Sequence, residues 1–174
     1  MSGGGNPAEI TQVEYTTISS SGGANEFGNL ITPNINNIGF SNNIRGFSAG
    51  SYNNAPNPAA IEMIIISTQG HASDFGDMTQ AVGNNAGCAS PTRGIINGGY
   101  GNPANINVIQ YFTISTQGNS IDFGNLNQAT QSMPGGTGSS TRGIIGGGQG
   151  SPATLNIIDF ITFASTGNAT DFGD

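Results

Sequence analysis

Four stretches of the chain share one alternation of apolar and polar positions. "NPAEITQVEYTTISSSG", "NPAAIEMIIISTQG", "NPANINVIQYFTISTQG" and "SPATLNIIDFITFASTG" each open on an Asn-Pro or Ser-Pro turn, continue through a run rich in Ile, Val, Tyr or Phe, and close at a Ser/Thr-rich turn ending in Gly. Each reads as turn, strand, turn, with a strand about eight residues long. Beside them stand a second motif, "NEFGNL", "SDFGDM", "IDFGNL" and "TDFGD", and a third, "IRGFSAG", "TRGIINGG" and "TRGIIGGG".

The spacing of these motifs is regular. The motif phenylalanine falls at 27, 75, 123 and 172, at intervals of 48, 48 and 49, and the arginines fall at 45, 93 and 142. A period near 50 with three or four short strands per unit marks a repeat architecture, a propeller blade or a large solenoid coil. The reading is one repeat domain over 1–174, with units of roughly 3–50, 51–99 and 100–148 and a partial unit 149–174.

Composition supports strands over helices. Among 174 residues there are 29 glycines and no tryptophan, and only 7% are charged. Gly and β-branched residues disfavour helix, whereas Ile, Val, Thr, Tyr and Phe suit pleated strands. An all-β fold is expected. Low charge with much Gly and Asn also occurs in disordered chains, but these lack recurring Ile-rich runs.

Charge and motif chemistry exclude several functions. Ten acids against three arginines leave a formal charge of -7, with no basic surface for nucleic acid or anionic membranes. Asp-Phe-Gly holds magnesium in protein kinases, but the chain has no lysine, and His71 is followed by Ala72 and Ser73 rather than Arg-Asp. Glycine runs such as "GGGQG" lack the lysine and helix of a phosphate-binding loop. The positions equivalent to His71 are Gly23, Asn119 and Asn168, which makes it a variable turn residue rather than a general base. Cys88 reads as a small filler, and with no second cysteine it forms no internal disulfide. The second acid of "DFGD" is Asp77 and Asp174 but Asn29 and Asn125 elsewhere, which favours a structural role over calcium. No catalytic residue, cofactor or metal site is expected. The N-terminal residues lack the features of a secretory signal, and no apolar run approaches the roughly 20 residues of a membrane span. Synthesis and folding in a cytoplasm are expected, without membrane insertion.

The double glycines Gly98-Gly99 and Gly146-Gly147, followed by a strand with a central aromatic (Tyr111, Phe160) and then by Phe123-x-x-Leu126, resemble kelch repeats. The resemblance implies a β-propeller of about 3.5 blades per chain; a β-solenoid is the alternative. "STGNATDFGD" with "SSTRGIIGGG" also looks like the kelch-like repeats of marine bacteriophage virion or tail-associated proteins. A virion-associated setting is what that similarity implies.

In such a fold the small residues of "RGIIGGG" would allow backbones to approach near the axis. The acid before each motif phenylalanine (Glu26, Asp74, Asp122, Asp171) would hold a repeat arginine (Arg45, Arg93, Arg142) through paired hydrogen bonds. Four copies of one half-repeat against three of the other leave two open edges, a liability that assembly removes. A homo-oligomer is expected, a dimer in particular, closing through residues 1–30 and 150–174. Alternatively, the missing blades lie in the same polypeptide. The expected function is a non-catalytic structural or adhesive module. The second reading is a lectin-like module binding surface glycan through polar loops, with Tyr52 or Tyr100 as the stacking surface.

Overall fold

The computed structural model describes residues 3–4, 8–51, 59–131 and 135–174. The described chain is all-β, in four small antiparallel sheets. The first sheet is the pair β1 (Ile10–Tyr15) and β2 (Asn25–Asn34). The second takes β3 (Ile38–Ser41), β4 (Arg45–Ala49), β5 (Ala60–Ile65) and β6 (Ser73–Asp77) in chain order. The third takes β7 (Ala86–Ala89), β8 (Arg93–Asn97), β9 (Ile106–Thr113) and β10 (Ile121–Thr130), and the fourth β11 (Gly135–Gly138), β12 (Arg142–Gly146), β13 (Ile158–Thr162) and β14 (Thr170–Gly173).

Each four-stranded sheet is a meander, in which every strand pairs with the next along the chain. The Arg-Gly strands lie second, and their register repeats: Arg45, Arg93 and Arg142 oppose Ile65, Thr113 and Thr162. The Ile-rich strands lie third and the motif-phenylalanine strands fourth. The sheets therefore straddle the repeat units read from sequence. The second sheet, for example, takes its first two strands from unit 3–50 and its last two from unit 51–99.

The core lies between the sheets, because alternate side chains of one strand point to opposite faces. Strand β8 shows this directly: Ile96 joins Phe47, Phe75 and Phe112 in the cluster toward the second sheet, and Ile95 joins Phe123, Ile145 and Phe163 toward the fourth. A smaller cluster of Val13, Phe27 and Leu30, with Ile64 beside it, lies between the two-stranded sheet and the second. The first strands meet in succession, β3 against β7 and β7 against β11. Here backbones come close: a Cβ on Gly136 would lie 2.7 Å from the Gly87 carbonyl oxygen. The glycines after the Arg-Gly strands combine turns with close approach: φ is 78° at Gly50 and 106° at Gly99, and a Cβ there would lie 2.6 Å from the Val82 carbonyl oxygen and 2.8 Å from that of Gly83.

Candidate functional site

The surfaces richest in repeated chemistry are the junctions between successive sheets, where three sets of contacts recur with the sequence period.

The first set is a backbone clasp. The amides of Gly70, Gly118 and Gly167 donate to the carbonyls of Phe27, Phe75 and Phe123 on the preceding sheet, at 2.9, 2.9 and 2.7 Å. Two residues on, Ala72, Ser120 and Ala169 donate to Asn29, Asp77 and Asn125. The same three residues return a bond to the turn: Asn29 N–H donates to His71 Nδ1 at 3.2 Å, Asp77 N–H to Asn119 Oδ1 at 2.9 Å, and Asn125 N–H to Asn168 Oδ1 at 3.0 Å. His71 thus fills the place of an asparagine as an acceptor. A Cβ on Gly28, Gly76 or Gly124 would fall onto the carbonyl of Gly70, Gly118 or Gly167, so the glycine of "FG" is what lets the clasp close.

The second set is a buried acceptor on the third strand. Glu62, Gln110 and Asp159 are only 3%, 1% and 2% exposed. Glu62 accepts from the amides of Ile31 and Thr32 and from the Thr32 hydroxyl at 2.7–3.2 Å. Gln110 Oε1 accepts from Thr79 N–H, Thr79 Oγ1 and Ser120 Oγ at 2.8, 3.0 and 2.7 Å. Asp159 accepts from the amide and side chain of Asn127. Each reaches the last strand of the sheet before it or the residues that follow that strand, and the bonds offset the cost of burying a polar group.

The third set belongs to the arginines. Arg45 donates through Nη1 to the Ile114 carbonyl and Arg93 through Nη1 to that of Phe163, both on the following sheet. Arg93 also lies 4.6 Å from the centre of the Tyr111 ring, and Arg142 lies 5.1 Å from that of Phe160. Among the described residues no arginine meets a repeat acid. Glu26, Asp74, Asp122 and Asp171 are exposed, because each precedes a phenylalanine in a strand and points away from the face that phenylalanine takes. The predicted carboxylate is replaced by a main-chain carbonyl and a ring face, two acceptors of cation charge that sequence spacing does not display.

The other predicted residues lie apart from these junctions or contribute packing. Tyr52 falls outside the described residues. Tyr100 is half-buried, its backbone bridged to Gly83 and Asn105. Cys88 packs in the cluster between the third and fourth sheets, where burial pushes its thiol up to about 12. The buried acceptors are the residues that sequence reading missed. Their signal was a polar residue recurring at one position of the repeated strand: Glu14, Glu62, Gln110 and Asp159.

The repeated contacts run out at the two ends. Phe27, Phe75 and Phe123 are 9%, 1% and 3% exposed, but Phe172, the fourth of the set, is 61% exposed. Ile114 and Phe163 are 3% exposed; Ile18, at the same repeat position, is 101% exposed. No protein-family model matches the chain, and no curated protein matches it.

Proposed function

We propose that the chain is an arc of a kelch-like β-propeller that serves as a non-catalytic structural module and completes itself by end-to-end assembly with a second copy. A solenoid joins successive repeats into continuous sheets through strand hydrogen bonds. Here each four-stranded sheet ends after its fourth strand, and successive sheets meet through side chains, first strands and clasps, which supports a radial arrangement. The observation that carries the assembly is the exposure of Phe172.

The face around Phe172 is already built for a neighbour. Phe172 packs edge-on against Phe160 at 6.1 Å, as Phe123 packs against Tyr111 at 5.7 Å, with Arg142 over Phe160 as Arg93 is over Tyr111. At the other end, Gly22 occupies the repeat position of the clasping Gly70, Gly118 and Gly167, and a Cβ there would meet nothing. A second copy brings Gly22 N–H to the Phe172 carbonyl and the Ile18 carbonyl to Arg142, which repeats the internal junction across two chains. Chains joined this way form a ring when the rotation closes. The virion or tail setting implied by the sequence resemblance suits a scaffold of this kind.

Native mass spectrometry tests the reading. The expected species is a dimer of twice the 17.6-kDa chain, converted to monomer by Phe172→Asp. A wild-type monomer at micromolar concentration would sink the proposal, as would a dimer indifferent to Phe172→Asp.

A further inference from the structure

The three clasps between successive sheets share one arrangement and differ in one acceptor atom. Asn119 Oδ1 receives the Asp77 N–H and Asn168 Oδ1 the Asn125 N–H, at 2.9 and 3.0 Å. In the first clasp the acceptor is His71 Nδ1, which receives the Asn29 N–H at 3.2 Å. An amide oxygen does not titrate, so the second and third clasps keep their acceptor at any pH. An imidazole nitrogen accepts only while its lone pair is free, and His71 is the one histidine of the chain.

The main chain holds the base of the imidazole at this place. Gly70 and Ala72, on either side of His71, donate to the Phe27 and Asn29 carbonyls at 2.9 and 2.8 Å. The same turn reaches both strands of the first sheet. Asn29, on β2, accepts through Oδ1 from the Thr11 hydroxyl on β1, and Gln69 donates to the Tyr15 hydroxyl, also on β1. Residues 69–72 therefore tie the second sheet to the whole of the first. With Nδ1 accepting, the ring's own proton sits on Nε2. A second proton goes to Nδ1 and turns the acceptor into a donor aimed at another donor. His71 is exposed, so that proton comes from solvent without any prior unfolding.

The other ionisable groups around the clasp belong to classes that titrate elsewhere. Glu9 and Glu26 line a surface depression with Asn29, and Glu14 and Tyr15 lie on β1. Glu62 on β5 accepts from Ile31 and Thr32, and Asp74 and Asp77 lie on β6. Arg45, the one arginine of the second sheet, donates to the Ile114 carbonyl on the third. Carboxylates ordinarily titrate at about pH 4, and tyrosine and arginine at about pH 10 and above, whereas histidine does so close to neutrality. We propose that the junction between the first and second sheets is an acid-sensitive latch. A proton on His71 Nδ1 releases the Asn29 N–H, and the turn 69–72 opens from β2 while the second and third clasps stay closed. The latch holds while the ring is neutral and is lost as pH falls through the histidine range, because the open turn takes up a proton that the closed one excludes. Opening uncovers Val13, Phe27 and Leu30, an apolar surface that the closed junction covers. This device depends on the first clasp alone and not on how the ends of the arc meet.

The test is amide hydrogen exchange of the full chain at about pH 7.5 and about pH 5.5, read as protection factors so that the intrinsic pH dependence of exchange cancels. The amides of Asn29, Gly70 and Ala72 should lose protection about fivefold at the lower pH, the weight of one hydrogen bond. The matching amides of the second clasp, Asp77, Gly118 and Ser120, should not change. His71→Asn, which installs the residue of the other two clasps, should abolish the loss and keep the protection seen at the higher pH. Asn119→His should carry the sensitivity to the second clasp, so that Asp77, Gly118 and Ser120 now lose protection in acid. Equal protection of the first clasp at both pH values would overturn the proposal. So would a loss that persists in His71→Asn, because the proton would then act elsewhere. Where the first-clasp amides exchange too fast to follow, Asn119→His decides: a second clasp that still ignores pH would overturn the latch, and one that opens in acid would support it.

Discussion

At the residue scale, the buried acceptors show most clearly what one side chain contributes to a junction. Gln110 satisfies two donors of Thr79 and the hydroxyl of Ser120 with one oxygen. Replacing it by Ala leaves buried donors unpaired, so Gln110→Ala should destabilise the protein by about 2 kcal/mol in urea unfolding. Glu62→Gln should cost under about 1 kcal/mol, since an amide oxygen does the same work one repeat later. Equal losses in the two variants would show that charge, rather than acceptor geometry, is what Glu62 provides. The arginine position was legible in the sequence from its spacing; its partner was not. A carbonyl oxygen has no letter of its own in a sequence, and the acid that the letters offered was on the wrong face of its strand.

At the scale of elements, strand existence and order were readable from apolar runs and turn residues. The grouping of strands was not, because sequence periodicity sets the length of a repeat without saying where one sheet ends. The pairings resolve this: the Asp-Phe-Gly strand ends a sheet, and its glycine admits the turn of the next. That glycine yields a comparison internal to the chain. Gly76 and Gly173 share a repeat position and a similar φ, 149° and 145°, but a Cβ on Gly76 meets the Gly118 carbonyl while one on Gly173 meets nothing. Gly76→Ala and Gly173→Ala carry the same local strain, so the difference in their unfolding free energies reports the clasp. Gly76→Ala should be worse by about 2 kcal/mol. If Gly173 clasps a second copy, Gly173→Ala should in addition weaken association, which dilution followed by light scattering measures.

Stability across the whole molecule is a sum of junctions, since each sheet buries its apolar face only against its neighbours. The three junctions are unequal. Those on either side of the third sheet bury clusters built around Phe47, Phe75 and Phe112 and around Phe123, Ile145 and Phe163, whereas the first sheet contributes only Val13, Phe27 and Leu30 beside an open cleft. Local opening should therefore begin there, at a cost below that of global unfolding. Hydrogen exchange should find the amides of β1 and β2 least protected and those of β8 and β9, covered on both faces, most protected. End-to-end association should protect both ends of the chain, around Gly22 and around Phe172. Uniform protection from β1 to β14 would mean that the arc opens as one cooperative unit and that the first sheet is held by more than the small cluster it buries.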